Sequence, residues 1–271
     1  MALDEFGSPA PGASDSAAGP DLRTPPGVLA THGHRGRVPA TPSRQARPAS
    51  TDPLRNFAPE RLEAGMCTRT TTPETPLGVR AEQFVYNVFR TSGFCGESPR
   101  RHVEESEPWR PGSHLHVVLD EDSDEILGVV RTILGSHDQL PVSRFEATVD
   151  VPAGLLCEIG SLAVKADLRG LGVANELHRM AFLDGIRHHA AGFCFLVEQW
   201  MFEFFGAQYG LPVRALAEPE FFMGGEIVPT GMWLPEMLLV IAECRPLVYA
   251  WAVEDLEETL HIELGLPMMV S

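Results

Sequence analysis

Apolar positions recur with clear periodicity from about residue 77 onward and almost not at all before it. Over residues 80–90, Phe84, Val85, Val88 and Phe89 fall at helical spacing and Gly93 follows, which predicts an amphipathic helix. Residues 97–110 are polar and predict a short helix or loop. Residues 114–119 (HLHVVL) alternate as a strand does. An acidic turn, Asp120–Glu125, then leads into residues 126–134 (ILGVVRTIL). Together they predict a β-hairpin with Arg131 near the end of its second strand. Residues 155–164 (LLCEIGSLAV) read as a largely buried strand, and Gly160 inside it predicts a bulge or a close backbone approach. A helix is expected from about Gly172 to Ala190, with Val173, Leu177, Met180, Ala181 and Ile186 on one face. Residues 193–198 (FCFLVE) predict the next strand, and residues 200–209 a short aromatic helix ended by Gly210 and Pro212. Two more strands follow at 213–218 and 226–234 with a turn at Gly224-Gly225, and the pattern from Pro235 is helical, broken at Pro246. This order implies a mixed α/β fold built around one sheet.

Residues 1–76 contrast with this. They hold 12 of the chain's 23 prolines, with many small and polar residues, and cannot bury enough apolar surface to offset the entropy of ordering. The expected organisation is a disordered tail over 1–76, a folded domain over 77–240 and a helical extension over 241–271. A short helix is expected around Leu54–Ala64. The HGHRGR stretch at 32–37 reads as flexible tail rather than as a metal or anion site. No internal repeat is visible.

The chain has 271 residues, with 21 Lys+Arg against 37 Asp+Glu and a net charge of −16. The first 80 residues are near neutral, with nine basic and eight acidic side chains, which leaves 12 basic and 29 acidic in the remainder. That balance excludes a nucleic-acid-binding face. No apolar run reaches membrane-spanning length, and no secretory leader is visible, so a cytoplasmic protein with no membrane span is expected. Five scattered cysteines without a CxxC argue against a disulfide framework or a zinc knuckle.

The stretch Leu162–Leu177 (LAVKADLRGLGVANEL) carries the chemistry. A strand runs into the loop Arg169-Gly170-Leu171-Gly172-Val173-Ala174, which opens a helix. First-turn amides without helical partners, the helix dipole, two glycines and an arginine make an anion site. A plain strand-to-helix turn is the other reading. The loop lacks GK[ST] and the three glycines of a dinucleotide fingerprint, so neither nucleotide motif applies.

Arg169-x-x-Gly172-x-Ala174, after SLAV and before an amphipathic helix, resembles the acyl-CoA-binding motif of the GNAT acyltransferases. The resemblance spans about residues 80–235 and implies a central, mostly antiparallel sheet flanked by helices. A closer resemblance is to the branch holding N-acyl amino acid synthases and acyl-homoserine-lactone synthases. It rests on FVYNVFRTSGF, GVVRTIL, CEIGSLAV and YGLPVRALAEPEFFMGGEIVPTGMWL. That implies transfer of a fatty acyl group from CoA or an acyl carrier protein to a small-molecule amine. Acyl-CoA or acyl-phosphopantetheine is then a co-substrate, and no permanent cofactor is needed. Leu162, Val164, Arg169, Gly170, Leu171, Gly172, Val173 and Ala174 are the implied donor-binding residues. Gly160-Ser161 stands where the branch often has Ser-Arg, and the lactone synthases' Trp and Asp-rich signature is not clear here. This favours an amino acid or other amine as acceptor. Phe205 falls where the family's short helix has a tyrosine, and Tyr209 comes one turn later.

Glu158 is the expected general base, since a carboxylate in a buried strand has a raised pKa. A structural, hydrogen-bonded glutamate is the alternative. Strand alternation puts Glu158, Gly160, Leu162 and Val164 on one face if no bulge intervenes. Arg131 suits an acceptor carboxylate, or forms a surface salt bridge with the acidic hairpin. Cys157 reads as structural. His114 and His116 share a strand face but lack a third ligand, so no metal is expected. Trp200, Phe202, Phe204 and Phe205 are core or the wall of an acyl tunnel, joined by Phe221, Phe222, Met223 and Met232. An acidic carrier protein needs a basic patch, for which Arg169, Arg179 and Arg187 are candidates. Two rivals stand beside this reading: an acetyl-CoA-dependent acetyltransferase, and a non-catalytic acyl-thioester-binding protein.

Overall fold

The computed structural model describes residue 55, residues 57–168 and 171–257, and residues 260, 263 and 265. In chain order the elements are β1 (Met66–Thr71), α1 (Pro76–Thr91), β2 (Ser113–Asp120), β3 (Ile126–Gly135), β4 (Leu156–Val164) and α2 (Val173–Arg187). Then follow β5 (Gly192–Glu198), α3 (Gln199–Phe204), β6 (Arg214–Ala215), β7 (Glu220–Phe222), β8 (Gly225–Trp233), α4 (Leu234–Cys244) and α5 (Pro246–Val253). The eight strands make one sheet in the order β1-β2-β3-β4-β5-β8-β6, with β7 also paired to β8. Every pairing is antiparallel except β4 with β5.

Period-two alternation divides the core between the two faces of the sheet. Leu115, Val117, Val129 and Ala163 pack against Ala81, Val85 and Tyr86 of α1. Val118, Val130, Cys157 and Phe193 pack against Val173, Leu177, Ala181 and Ile186 of α2. Helix α1 begins at Pro76, with Thr75 as its cap: the Thr75 hydroxyl accepts from the Gly78 amide at 2.9 Å. Such caps contribute about 1 kcal/mol. Helix α2 lies close on β3 because Gly128 lacks a side chain. A Cβ there would stand 2.8 Å from both Leu177 and Val173.

The expected boundaries shift at both ends. The tail of 1–76 is too long, because β1 pairs with β2 from Met66 to Thr71. That strand (MCTRTT) is largely exposed at the sheet edge, so it shows no apolar alternation. Residues 57–63 form no helix; residues 1–54 and 56 lie outside the described residues. At the other end, the boundary at 240 falls inside α4. Ile241, Val248, Trp251 and Val253 join the same core as α2, so α4 and α5 complete the domain instead of extending it. The polar 97–110 stretch contains one 3₁₀ turn at Glu104–Trp109. Two further short turns, His137–Gln139 and Pro141–Arg144, separate β3 from β4. Among the described residues no helix is long and apolar enough to cross a membrane.

Gly128→Ala should cost about 1–3 kcal/mol through overpacking. Thermal unfolding followed by circular dichroism should show a Tm lower by several degrees. An unchanged Tm would mean that α2 can move off the sheet freely.

Candidate functional site

Strands β4 and β5 pair only from Leu156–Ile159 with Gly192–Phe195. Beyond those four residue pairs they part, and a cavity of about 880 Å³ opens against residues 159–164 on one side and 195–198 on the other. The free edge of β4 past Ile159 retains backbone groups that no strand of the sheet takes up.

A bulge lies in the same stretch. Arg131 pairs with Gly160 and Val129 with Ala163, so Ser161 and Leu162 together face Val130. Ser161 takes the left-handed conformation, with φ of 52°. Gly160 does not need to be glycine for space, because a Cβ there meets nothing within 4 Å. The bulge corrects the expected alternation. Glu158 and Gly160 share their face with Ala163, while Leu162 and Val164 turn to the α2 side. Both still line the cavity.

Glu158 also lines the cavity and is 3% exposed. Its Oε2 accepts the Val142 amide at 2.8 Å, from the Pro141–Arg144 turn. Burial pushes its carboxyl up to about 8, only partly opposed by that hydrogen bond. Cys157 points to the opposite, α2 side and is fully buried, and desolvation raises its thiol well above the ordinary range.

Arg131 does not form a surface pair with the acidic hairpin. It is 5% exposed, and its Nη2 donates to Glu82 Oε1 at 2.9 Å. Glu82, on the buried face of α1, also accepts from Arg110 Nε at 2.9 Å. Nε and Nη1 of Arg131 are buried with no partner among the described residues. Burial lowers the guanidinium pKa, and the Glu82 charge opposes that shift. Arg131 borders the same cavity as Glu158.

At the other side of the split, α2 begins at Gly172, whose φ of 76° only glycine adopts readily. Among the described residues, no backbone hydrogen bond uses the amides of Val173, Ala174 or Asn175. Ala174 and Asn175 line the cavity. The chain at Glu60–Leu62 flanks this helix start: a Cβ on Gly172 would lie 2.2 Å from the Arg61 carbonyl oxygen, and Asn175 Nδ2 donates to the Glu60 carbonyl at 3.2 Å. Leu171 is half-buried just before the helix, and the expected sites Arg169 and Gly170 lie outside the described residues.

The fold brings Tyr209, which the sequence placed one turn past the family position, together with Asn175 and His178, which sequence reasoning passed over. Helix α3 continues into a π-helical turn, Phe205–Tyr209. This turn carries Tyr209 into the cavity wall, 9% exposed, with its hydroxyl donating to Asn175 Oδ1 at 2.5 Å. Burial pushes the phenol up to about 12. His178, one turn beyond Asn175, lies edge-on to Phe205 at 5.6 Å, and desolvation lowers its pKa to about 4. It is therefore neutral at physiological pH. A tyrosine four residues past the family position was the available signal; the π turn that makes it reach was not.

The rest of the wall is largely apolar, with Glu105, Arg144 and Glu198 among its polar members. Phe89 and Phe94 come from the α1 end, Phe195, Met201 and Phe204 from β5 and α3, and Phe222 and Met223 from the closing hairpin. Trp200 and Phe204 border the cavity while 57% and 41% exposed. Met232 is fully buried in the α2 core and does not border the cavity. Arg179 and Arg187 do not form a free basic patch. Arg179 pairs with Glu176 and Asp255, and Arg187 donates to the Asp255 carbonyl. His114 and His116 lie on the other side of the sheet from α1 and line none of this cavity.

By sequence the chain matches no protein-family model and no curated protein. By structure it is similar to FeeM, an N-acyl amino acid synthase from uncultured soil microbes (TM-score 0.50, 12% identity, 65% of this chain and 94% of that one). It is also similar to BjaI, a CoA-dependent acyl-homoserine lactone synthase solved with SAM and isopentyl-CoA (TM-score 0.50, 14% identity, 76% and 93%). At such identities the likeness is one of fold. The chain has the GNAT acyltransferase fold that its motifs resemble.

The raised carboxyl of Glu158 has a stability consequence. With a folded pKa near 8 and an unfolded value near 4.5, the folded state holds the extra proton. Stability then falls as pH rises from about 4.5 to about 8 and levels off above. Glu158→Gln should remove this decline, seen as a flatter dependence of Tm on pH between those limits. An unaltered slope would place the proton elsewhere.

Proposed function

We propose that this chain is an N-acyltransferase. It would move a long-chain acyl group from a thioester to the amine of an amino acid or related small molecule. One observation carries the reading: a buried carboxylate held near neutrality and a buried, half-paired guanidinium border the same aromatic-walled cavity, at the split of the sheet.

In this reading the donor's pantetheine arm lies along the free edge of β4 between Gly160 and Val164 and pairs with it as an added strand. Its pyrophosphate meets the first-turn amides at the start of α2, with Leu171, Gly172, Val173 and Ala174 as the cradle. Arg169 and Gly170 complete it. The acyl chain lies against the aromatic part of the cavity, which it shares with the pantetheine arm and the acceptor. At about 880 Å³ the cavity is near the top of the usual range of about 300–1,000 Å³ for small-molecule sites. The aromatic wall of Phe89, Phe94, Phe195, Phe204 and Phe222 suits a long acyl chain better than an acetyl group. With the Arg179 charge taken up by Glu176 and Asp255, a docking patch for an acidic carrier protein is weakened and coenzyme A suits this chain better.

The acceptor's carboxylate would satisfy Nε and Nη1 of Arg131. Leaving such groups buried and unpaired costs about 1–3 kcal/mol, which a bound anion recovers. The acceptor enters as the neutral amine, and Glu158 takes the nitrogen's proton as the C–N bond forms. In that step the amine nitrogen attacks the thioester carbonyl. Backbone amides near Leu162 stabilise the oxyanion. The C–S bond then breaks, and the Tyr209 phenol, protonated at neutral pH and oriented by Asn175, gives its proton to the leaving thiolate. No acyl-enzyme is formed and no resident cofactor is required.

Mass spectrometry of lipid extracts from a bacterial host expressing the chain tests the reading. A new N-acylated amine is expected, absent with Glu158→Gln and with Arg131→Met. No new lipid from cells holding folded protein would overturn long-chain transfer. With purified enzyme, Glu158→Gln should lower kcat/KM by about 10²–10⁴-fold. The wild-type rate should climb with pH as the carboxylate ionises and flatten above about 8, and the variant should lack that limb. Arg131→Met should raise KM for the carboxylate-bearing acceptor and leave KM for the acyl thioester nearly unchanged.

A further inference from the structure

Away from the cavity, the far end of α2 meets β2 through a group of imidazoles around one carboxylate. We propose that His114, Asp184 and His188 form a binding site for a divalent transition metal, with zinc as the ion that best suits the donors. The placement follows from two periodicities. Asp184 and His188 are four residues apart at the end of α2, so they share a face. His114 alternates onto the α2 side of β2, where its Nδ1 stands 3.0 Å from Asp184 Oδ2. One ligand atom from each of the three lies within 4.8 Å of the others. Four-coordinate zinc holds imidazole nitrogens at about 2.0–2.1 Å, so the donors need draw in by only about 1 Å.

The surroundings have the form of an outer shell. Thr132 Oγ1 donates to Asp184 Oδ2 at 2.6 Å, and His116 Nε2 in turn donates to Thr132 at 3.1 Å. The hydroxyl of Thr70 then donates to His116 Nδ1 at 2.9 Å. His116 is therefore fully occupied, 2% exposed, and backs the carboxylate instead of ligating. His188 Nδ1 lies 2.8 Å from the carbonyl oxygen of Asp184. The same nitrogen lies 3.3 Å from Asp184 Oδ1, so the His188 ring already faces the carboxylate.

Charge and access point the same way. Among the described residues, the groups within ion-pair distance of the buried Asp184 carboxylate are imidazoles, with no lysine or arginine. The carboxylate and imidazoles leave room in the charge balance for a metal cation in place of ring protons. Such a cation would also sit at the negative end of the α2 dipole. The His188 side chain is 45% exposed and that of His114 28%, so an ion can enter from solvent. Two imidazoles and one carboxylate, with water in the fourth position, suit zinc; calcium and magnesium prefer oxygen donors. Since none of these residues borders the cavity, the ion would act as a clamp between α2 and β2 and take no part in acyl transfer.

The test uses the untagged full chain, stripped with a chelator and titrated with zinc chloride by calorimetry. Bound zinc is counted by mass spectrometry after gel filtration. One zinc per chain with micromolar or tighter affinity is expected, together with a Tm higher by several degrees. Cobalt(II) should give the visible bands of a four-coordinate ion. His188→Ala, a change at an exposed position checked by circular dichroism, should weaken binding at least tenfold and abolish the Tm shift. Asp184→Asn should do the same if it folds. Failure of the wild-type chain to retain zinc would overturn the proposal. So would zinc retained equally by His188→Ala and His114→Ala, which would trace it to others of the ten histidines.

Discussion

Two parallel strands that hold each other for only four residue pairs set the architecture of the candidate site. Hydrogen bonding between β4 and β5 ends at Ile159 and Phe195, and the bulge at Ser161 and Leu162 lies just past that point. An extra residue on one strand increases its twist and bends it away from its neighbour. The sheet loses its ladder there without losing its core, because α1 covers one face and α2 the other. What remains is backbone with unused hydrogen-bonding capacity beside a cavity lined by side chains from both sides of the split. An extended amide-bearing ligand suits such an edge better than a compact one.

The polar groups of the cavity are held in states that water would not give them. Glu158 is surrounded by apolar neighbours such as Leu140, Leu156 and Cys194 and has a single amide partner, so desolvation dominates its titration. Arg131 keeps its charge through Glu82, which it shares with Arg110. The two lie on the same face of the sheet: Gly160, the partner of Arg131, is two residues beyond Glu158. Tyr209 and His178 stay protonated and neutral respectively for the same reason, burial against aromatic rings. Glu105, Arg144 and Glu198 also border the cavity. The chain's arginines are largely committed to carboxylates elsewhere, Arg179 to Glu176 and Asp255 and Arg214 to Glu236 among them.

Helix α2 joins the two regions that matter. The amides of its first turn find no backbone partner among the described residues, and its last turn carries the carboxylate surrounded by histidines. Gly128 lets its middle sit directly on β3. A brace at the far end would fix the direction of the helix and with it the position of its first turn. The N-terminal segment at Glu60–Leu62 flanks that first turn from the other side.

The elements with apolar periodicity were legible from the sequence alone. The β2–β3 hairpin, β4, β5 and β8 stand within a residue or two of where pattern and turn residues put them, while α2 ends three residues early and the strand expected at 213–218 shrinks to Arg214–Ala215, with β7 as the unforeseen hairpin partner of β8; the GNAT fold follows from their order together with the Arg169–Ala174 motif. Glu158 as a buried strand carboxylate was legible too, since little else in that strand is polar. What periodicity does not encode, tertiary structure decided. β1 has no apolar alternation because it is an exposed edge strand, held by backbone pairing that any sequence can make. The bulge moved Leu162 and Val164 off the Glu158 face, because one inserted residue reverses every later side chain. Glu82 reached Arg131 across 49 positions, and Asp184 reached His114 across 70. Tyr209 entered the wall through a π-helical turn that adds a residue to a helix no pattern distinguishes from an ordinary one. Local spacing fixes which face a residue takes, but partners from distant segments meet only after the sheet and its helices have closed on one another.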